Sequence, residues 1–320
     1  MWRRPGYPAL AAALVLAVLA TVTFVDLPAG RRWLEVLQDA GHVPAFALVA
    51  ACLWWLLRAA RPQWPAPLWG ATVAAAGAIA LGALVEIAQH FLHRDASLAD
   101  LGRDACGAVG ATALLLLRES RGSARGGPLR PLAALALAGA ALIALLPLVE
   151  CARAYRHRQA QFPVLADFRS PLDLYFLRPV EPPFTRQCLE PAGGSGPCRD
   201  WALYAPYTTA TWAGPVFEEM QADWRGWHAL CVEVSNPHSG QFVLVIALND
   251  RVYAGSDADR YVGLWRIGAH QRRRLCLPLS EISVTAGGRR LDLRHIERLA
   301  IAQDDVAHQP GFRLHRVWLQ

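Results

Sequence analysis

Apolar positions fall into two regimes along this chain. Before Glu150 they form long blocks of Ala, Leu and Val; after it they form short runs broken by turn-forming residues. The long blocks cover residues 8–25, 43–57, 67–89, 98–117 and 132–149. A helix needs ~20 apolar residues to cross the hydrocarbon layer of a bilayer. These blocks reach or approach that length, although the second is short and the fourth carries charge near its start. The pattern predicts an α-helical bundle of about five transmembrane spans.

The short runs have strand character and cover residues 162–168, 172–177, 201–207, 228–235, 242–248, 274–279, 299–303 and 313–319. Asn236-Pro-His-Ser-Gly240, Asn249-Asp250 and Gly287-Gly288 separate several of them. Many short strands with turn signals predict an all-β sandwich or barrel. Helical patterns do not alternate with the strands, which argues against a parallel α/β sheet. The expected division is a helical domain at 1–150, a polar linker at 151–161 and a β-domain at 162–320.

Hydrophobic residues make up 54% of the 320-residue chain, too many for an ordinary soluble protein. The formal charge is +6 and every basic residue is Arg. The Arg residues are scattered, whereas nucleic-acid binding requires a basic cluster, so no nucleic-acid partner is expected. They do report sidedness, because cytoplasmic loops are enriched in Arg and Lys. Arg3 and Arg4, then Arg58 and Arg61, then Arg118, Arg121, Arg125 and Arg130 fall on one side of five spans. That side is read as the cytoplasm, which puts everything after Glu150 outside it. The segment 118–131, RESRGSARGGPLRP, reads as a flexible cytoplasmic connector. The first block follows two Arg residues as a signal peptide would, but lacks a small-x-small cleavage site and reads as an uncleaved anchor.

One polar stretch interrupts the apolar half: LVEIAQHFLHRDASLADLGRDACGAVGA, from Leu84 to Ala111. Glu86 and Gln89 are three apart and share a helix face. Ser97 stands as an N-cap with Asp100 at the capping-box position. From there Asp100, Asp104, Gly107 and Ala111 repeat on one helix face, and Gly107 and Gly110 would let a neighbouring helix approach closely. Arg94 lies in the intervening turn, where it could pair with Glu86, Asp100 or Asp104. His42 opens the second span from the same side and could carry a proton near neutral pH. Ionisable groups at membrane depth are costly and mark a functional site by default; the alternative is a structural network holding a helix hairpin. His90, His93 and Glu86 form no tight metal signature, so neither a metal nor a cofactor is expected.

Glu86-x-x-Gln89, Arg94, Ser97, Asp100, Asp104, Gly107 and Gly110, with His42-Val-Pro-Ala-Phe46 upstream, resemble the signature of the VanZ-like membrane family. Asp104 stands where that family commonly has Asn. The resemblance covers roughly residues 26–117. It implies a small polytopic protein of the bacterial cell envelope, in a family named for a member associated with low-level glycopeptide resistance and without a settled biochemical activity.

In the second half, Asp223-Trp-Arg-Gly-Trp227 precedes a strand and Asn236-Pro follows it. The next strand ends in Asp250, Leu277-Pro-Leu279 comes later, and a closing strand runs to Gln320. This order resembles galactose-binding-like jelly-roll modules, a class with many carbohydrate-binding domains. Trp212 and, as the principal ligand-binding candidates, Trp224, Trp227, Tyr253, Tyr261 and Trp265 fall near predicted strand ends. They could stack on sugar rings or pack the sandwich core. The acids Glu218, Glu219, Asp257 and Asp259 read as solvated loop residues.

Cys188 and Cys198 bracket a Gly/Pro loop and are disulfide candidates in an oxidising compartment. Cys231 and Cys276 alternate with apolar neighbours on their strands and could form a second, cross-strand bridge. Cys52 and Cys106 read as reduced packing residues, and Cys151 is left over.

The expected protein is thus a multi-pass inner-membrane component with an extracytoplasmic, periplasmic β-sandwich that binds a glycan or glycolipid. A role in glycopeptide (antibiotic) resistance or envelope polysaccharide handling would follow from the resemblances. Its partners would be the lipid bilayer and a glycan or lipid-linked envelope intermediate. The rivals are a membrane enzyme, with Glu86, Asp100 or Asp104 as acid or base and Arg94 holding an anion, and a non-catalytic scaffold.

Overall fold

The computed structural model describes residues 6–25, 30–60, 67–92, 97–120, 129–191, 198–206, 212–221, 223–304 and 311–320. The chain divides into two compact units, Met1–Ala152 and Arg153–Gln320.

The first unit is helical: α1 Gly6–Phe24, α2 Arg32–Ala60, α3 Pro67–Phe91, α4 Leu98–Ser120, and the start of α5, which runs Leu129–Gln161. Phe46, Val49, Ala50 and Cys52 of α2 form its core with Ala11 and Val15 of α1, Ala78 and Val85 of α3 and Ala108 of α4. Ala at these contacts lets the helices pack closely. By length and composition, four helical stretches could cross a membrane: Tyr7–Phe24, Arg32–Ala60, Leu68–Phe91 and Arg130–Gln161. The fourth expected span, α4, is not among them, because Asp100, Arg103, Asp104, Arg118 and Glu119 make it amphipathic. Large apolar side chains point outward from the unit, including Leu16, Trp55, Leu84, Ile87, Leu135 and Leu142.

Two helices outrun their expected limits. The second apolar block starts at residue 43, yet α2 begins at Arg32 and carries Pro44 inside it. The extra turns place Asp39 and His42 against α4, where each finds a partner. Residues 151–161 read as a linker, yet all of them are helical in α5.

Within the second unit, the terminal turns of α5 hold specific partners. His157 Nε2 lies 2.9 Å from Oδ1 of the buried Asp173, and Gln161 Nε2 donates to the same oxygen at 3.0 Å. The Arg158 guanidinium lies 3.9 Å from the Phe176 ring centroid. His157, Arg158 and Gln161 thus dock on the sandwich, while Arg153, Arg156 and Gln159 stay exposed.

The rest of the second unit is an antiparallel β-sandwich. Its strands are β1 Val164–Ala166, β2 Thr185–Pro191, β3 Cys198–Pro206, β4 Trp212–Ala213, β5 Val216–Glu218, β6 Ala229–Ser235, β7 Phe242–Asp250, β8 Tyr261–Ile267, β9 Arg272–Pro278, β10 Ile296–Asp304 and β11 Gly311–Leu319. The larger sheet has the order β2-β3-β11-β6-β9, with β1 also on β11. The smaller has the order β4-β10-β7-β8, with β5 also on β10. A short helix, α6, spans Leu279–Ile282. Alternation decides the faces. Leu230, Val232 and Val234 of β6 meet Leu244, Ile246 and Leu248 of β7 and Leu299 and Ile301 of β10 in one core.

Several strands ran against the sequence pattern. Residues 172–177 read as a strand, but Pro171–Leu174 forms a 3-10 turn whose N-cap, Ser170, accepts the Leu172 N–H at 3.2 Å. The edge strands β2, β4, β5 and β8 carry no clear alternation. In β8, Gly263 breaks the pattern because Tyr261 and Trp265 close over it, and a Cβ there would run into both.

Candidate functional site

In the helical unit, His42 from α2 and Asp104 from α4 meet at 2.9 Å, Nδ1 to Oδ1. Asp104 is fully enclosed and His42 is 7% exposed. Two glycines make the enclosure sterically feasible. A Cβ on Gly82 of α3 would stand 2.8 Å from Asp104 Oδ2, and one on Gly107 of α4 would run into the Val43 carbonyl of α2. Gly110 faces Ala140 of α5, 2.7 Å from where its Cβ would stand.

Glu86 Oε2 accepts the backbone N–H of Ser97 at 2.7 Å, while Ser97 Oγ accepts that of Ala99 at 3.1 Å. This is a capping box split between two helices, with α3 supplying the acid that Asp100 would otherwise supply. Asp100 instead pairs with Arg103, whose Nη2 also lies 3.0 Å from Asp39 Oδ2. Gln89 Nε2 donates to the Val22 carbonyl at 3.1 Å, satisfying one of the acceptors that the last turn of α1 leaves open.

The structure therefore gathers His42, Glu86, Gln89 and Asp104 in the interior, with Asp100 on the rim. Arg94 lies outside the described residues. Sequence reading missed Asp39, Arg103 and Gly82; the three-residue step from Asp39 to His42 was the one signal for the first of these. Among the described residues, Glu86 Oε1 and Asp104 Oδ2 are buried without a hydrogen-bond partner. The site thus offers a His–Asp pair able to exchange a proton and two open carboxylate acceptors.

In the sandwich, most of the candidate aromatics belong to the core. Trp224 is fully buried and its Nε1 donates to the Gln221 carbonyl at 2.7 Å, so it has no face to offer a ligand. Trp227 packs edge-on against Phe162, with ring centroids 5.5 Å apart. Tyr261 and Trp265 point inward and pack on the core. Tyr253 remains near the surface.

The outer face of the smaller sheet carries a different aromatic group. Trp212 on β4 and Arg260, just before β8, come from opposite edges of the sheet, which is about 14 Å wide across these strands at ordinary spacing. The Arg260 guanidinium nevertheless lies 4.2 Å from the Trp212 ring centroid and 5.7 Å from that of Tyr253. The side chains therefore meet across the face on which Val245, Ala247 and Ala302 are buried. Arg260 also pairs with Asp257.

A clamp steadies the loops that present this group. Arg289 donates to both oxygens of the buried Asp250 at 2.8 and 3.0 Å and to the Asp259 carbonyl at 2.8 Å. Burial pushes the Asp250 carboxyl up, but Arg289 and the N–H groups of Asp292 and Val252 outweigh it and hold the carboxyl below its ordinary value.

The outer face of the larger sheet is charged. Arg272 bridges Asp200 at 2.6 Å and Glu233 at 2.8 Å. Ser235 Oγ lies 2.8 Å from His315 Nε2, and His315 Nδ1 stands 3.5 Å from Asp200 Oδ1. The order Ser–His–Asp is that of a nucleophilic triad, but Arg272 holds the Asp. Ser235 also lies in a strand paired on both sides, which leaves no backbone N–H beside it for an oxyanion. This is a structural network. Burial and then the Arg272 charge hold the His315 imidazole below its ordinary value. Disulfides join Cys188 to Cys198 and Cys231 to Cys276; Cys52, Cys106 and Cys151 are free thiols.

No family model and no curated protein matches the chain. Among solved structures, a family 11 carbohydrate-binding module from Clostridium thermocellum in complex with a β-1,3-1,4-mixed-linked tetrasaccharide matches with TM-score 0.33 and 17% identity. The match covers 49% of this chain and 93% of the module. PfGH50B matches with TM-score 0.32 and 14% identity over 43% of this chain. An exo-β-agarase matches with TM-score 0.32 and 11% identity over 45% of this chain. The chain spans only 22% of the length of each of these last two. At such scores the likeness does not extend to ligands or to the roles of residues.

Proposed function

We propose that this chain is a VanZ-like multi-pass protein of the bacterial inner membrane whose jelly-roll sandwich stands on the extracytoplasmic side and binds a glycan or glycolipid. Four long apolar stretches and an outward layer of Leu, Ile and Trp support the membrane assignment. Two disulfides in the sandwich support an oxidising compartment. The glycan reading rests on one observation: the Trp212–Arg260–Tyr253 stack spread over the outer face of the smaller sheet. An indole face suits the apolar side of a pyranose, and a guanidinium suits its oxygens. Envelope polysaccharide handling or glycopeptide resistance is the setting in which such a protein would act.

The test is full-length protein in nanodiscs on an array of peptidoglycan, teichoic-acid and exopolysaccharide fragments. Binding that Trp212→Ala weakens supports the reading, and silence across the array sinks it. An alkaline phosphatase fused to Gln320 should be active, since that enzyme requires export.

A second reading follows from the open oxygens of Glu86 and Asp104 beside His42. There the helical unit acts as an enzyme on a lipid-linked substrate, with His42–Asp104 moving a proton. Asp104→Asn would then abolish turnover while leaving folded protein.

A further inference from the structure

We propose a second binding surface, on the outer face of the larger sheet and selective for an acidic polysaccharide, built from Trp318, Arg274 and Arg316. Pairing across β11, β6 and β9 puts Trp318, Cys231 and Cys276 in one row and Arg316, Glu233 and Arg274 in the next. The Arg274 guanidinium lies 5.4 Å from the Trp318 ring centroid and that of Arg316 lies 5.1 Å from it. The Cys231–Cys276 bridge braces β6 against β9 beside them.

The charge on this face is uneven. Glu233 stands between Arg274 and Arg316 in register, but its carboxylate receives Arg272 Nε at 2.8 Å. Asp200 on β3 receives Arg272 Nη1 at 2.6 Å, and Glu190 lies beyond it in register on the edge strand β2. Among the described residues, no carboxylate pairs with Arg274 or Arg316. Two guanidinium forks beside an indole offer bidentate partners for carboxylates and a stacking surface for a sugar ring. The ligand that carries both is a polymer of sugar acids.

A membrane surface fits less well. Among the described residues, the large exposed apolar residues of the sandwich are Val252, Leu264 and Val284, none of them on β6, β9 or β11. The surface shares no residue with the Trp212 group and stands or falls apart from it.

The experiment is titration of polygalacturonate into the full-length protein in nanodiscs of zwitterionic lipid. Binding should weaken with added salt. The pair Arg274→Gln with Arg316→Gln should lower affinity about tenfold or more, as loss of charge-assisted hydrogen bonds would. Arg274→Lys with Arg316→Lys should restore part of it, and Trp318→Ala should also weaken it. Trp212→Ala should leave it unchanged. Wild-type affinity in the double Gln variant would overturn the proposal. So would no binding by the wild type, or binding of anionic vesicles that the double Gln variant loses while polygalacturonate binding persists. If polygalacturonate binds as described while Trp212→Ala changes nothing on the glycan array, the small-sheet reading fails and this one stands.

Discussion

Glu86 on α3 accepts the backbone N–H of Ser97 at the start of α4, at 2.7 Å. A side chain of one helix thus completes the cap of the next. Glu86→Gln keeps an acceptor there and should retain normal thermal stability in detergent. Glu86→Ala leaves the N–H open and should cost about 1 kcal/mol, the usual worth of a helix cap. Equal melting temperatures for the two variants would refute the cap.

Gly107 and Gly102 lie on the same helix and predict opposite outcomes. A Cβ on Gly107 would meet the Val43 backbone, whereas one on Gly102 meets nothing within 4 Å. Gly107→Ala should destabilise the bundle by about 1–3 kcal/mol through overpacking. Gly102→Ala should stabilise it by up to about 1 kcal/mol through helix propensity. Thermal unfolding of both variants decides.

Trp224 and Trp212 separate folding from binding. Trp224 is fully buried, so Trp224→Ala should cost about 3–5 kcal/mol, a large share of a domain's net stability. Trp212→Ala should leave the melting temperature near wild type and reduce glycan capture. Loss of folded protein in Trp212→Ala would assign that residue to the core.

Stability should fall on mild acidification because of His315. Burial and then Arg272 hold its imidazole below the ordinary 6.5, and burial followed by Arg313 does the same for His238. A lowered histidine binds its proton in the unfolded chain before the folded one. Stability is therefore lost as pH drops below 6.5, by at most about 1.4 kcal/mol per pH unit for each group. Asp200 and Asp250 are held below the ordinary 3.8, so their stabilising effect is lost only in stronger acid. His315→Gln should flatten the decline in melting temperature between pH 7 and 5, roughly the range where histidines titrate. An unchanged slope would show that His315 is not the group.

The sequence by itself determined the two-part architecture, because block length and alternation are local properties of a chain. Long apolar blocks became α1, α3 and α5, and short apolar runs became β6, β7, β10 and β11. It could not set the limits of α2 and α5. Asp39, His157 and Gln161 look like solvated polar residues until distant partners are known, and Arg103 and Asp173 come from elsewhere in the chain.

Only the tertiary structure decided which aromatics are available. Trp212 and Trp224 both lie outside the runs read as strands, so no alternation assigns either of them a side. Packing buried Trp224 beneath the Leu293 loop and left Trp212 to meet Arg260 across a sheet. The split cap has the same cause: Ser97 signals that a helix starts, but the nearest acid in space is Glu86 of the preceding helix, and sequence distance does not measure spatial proximity.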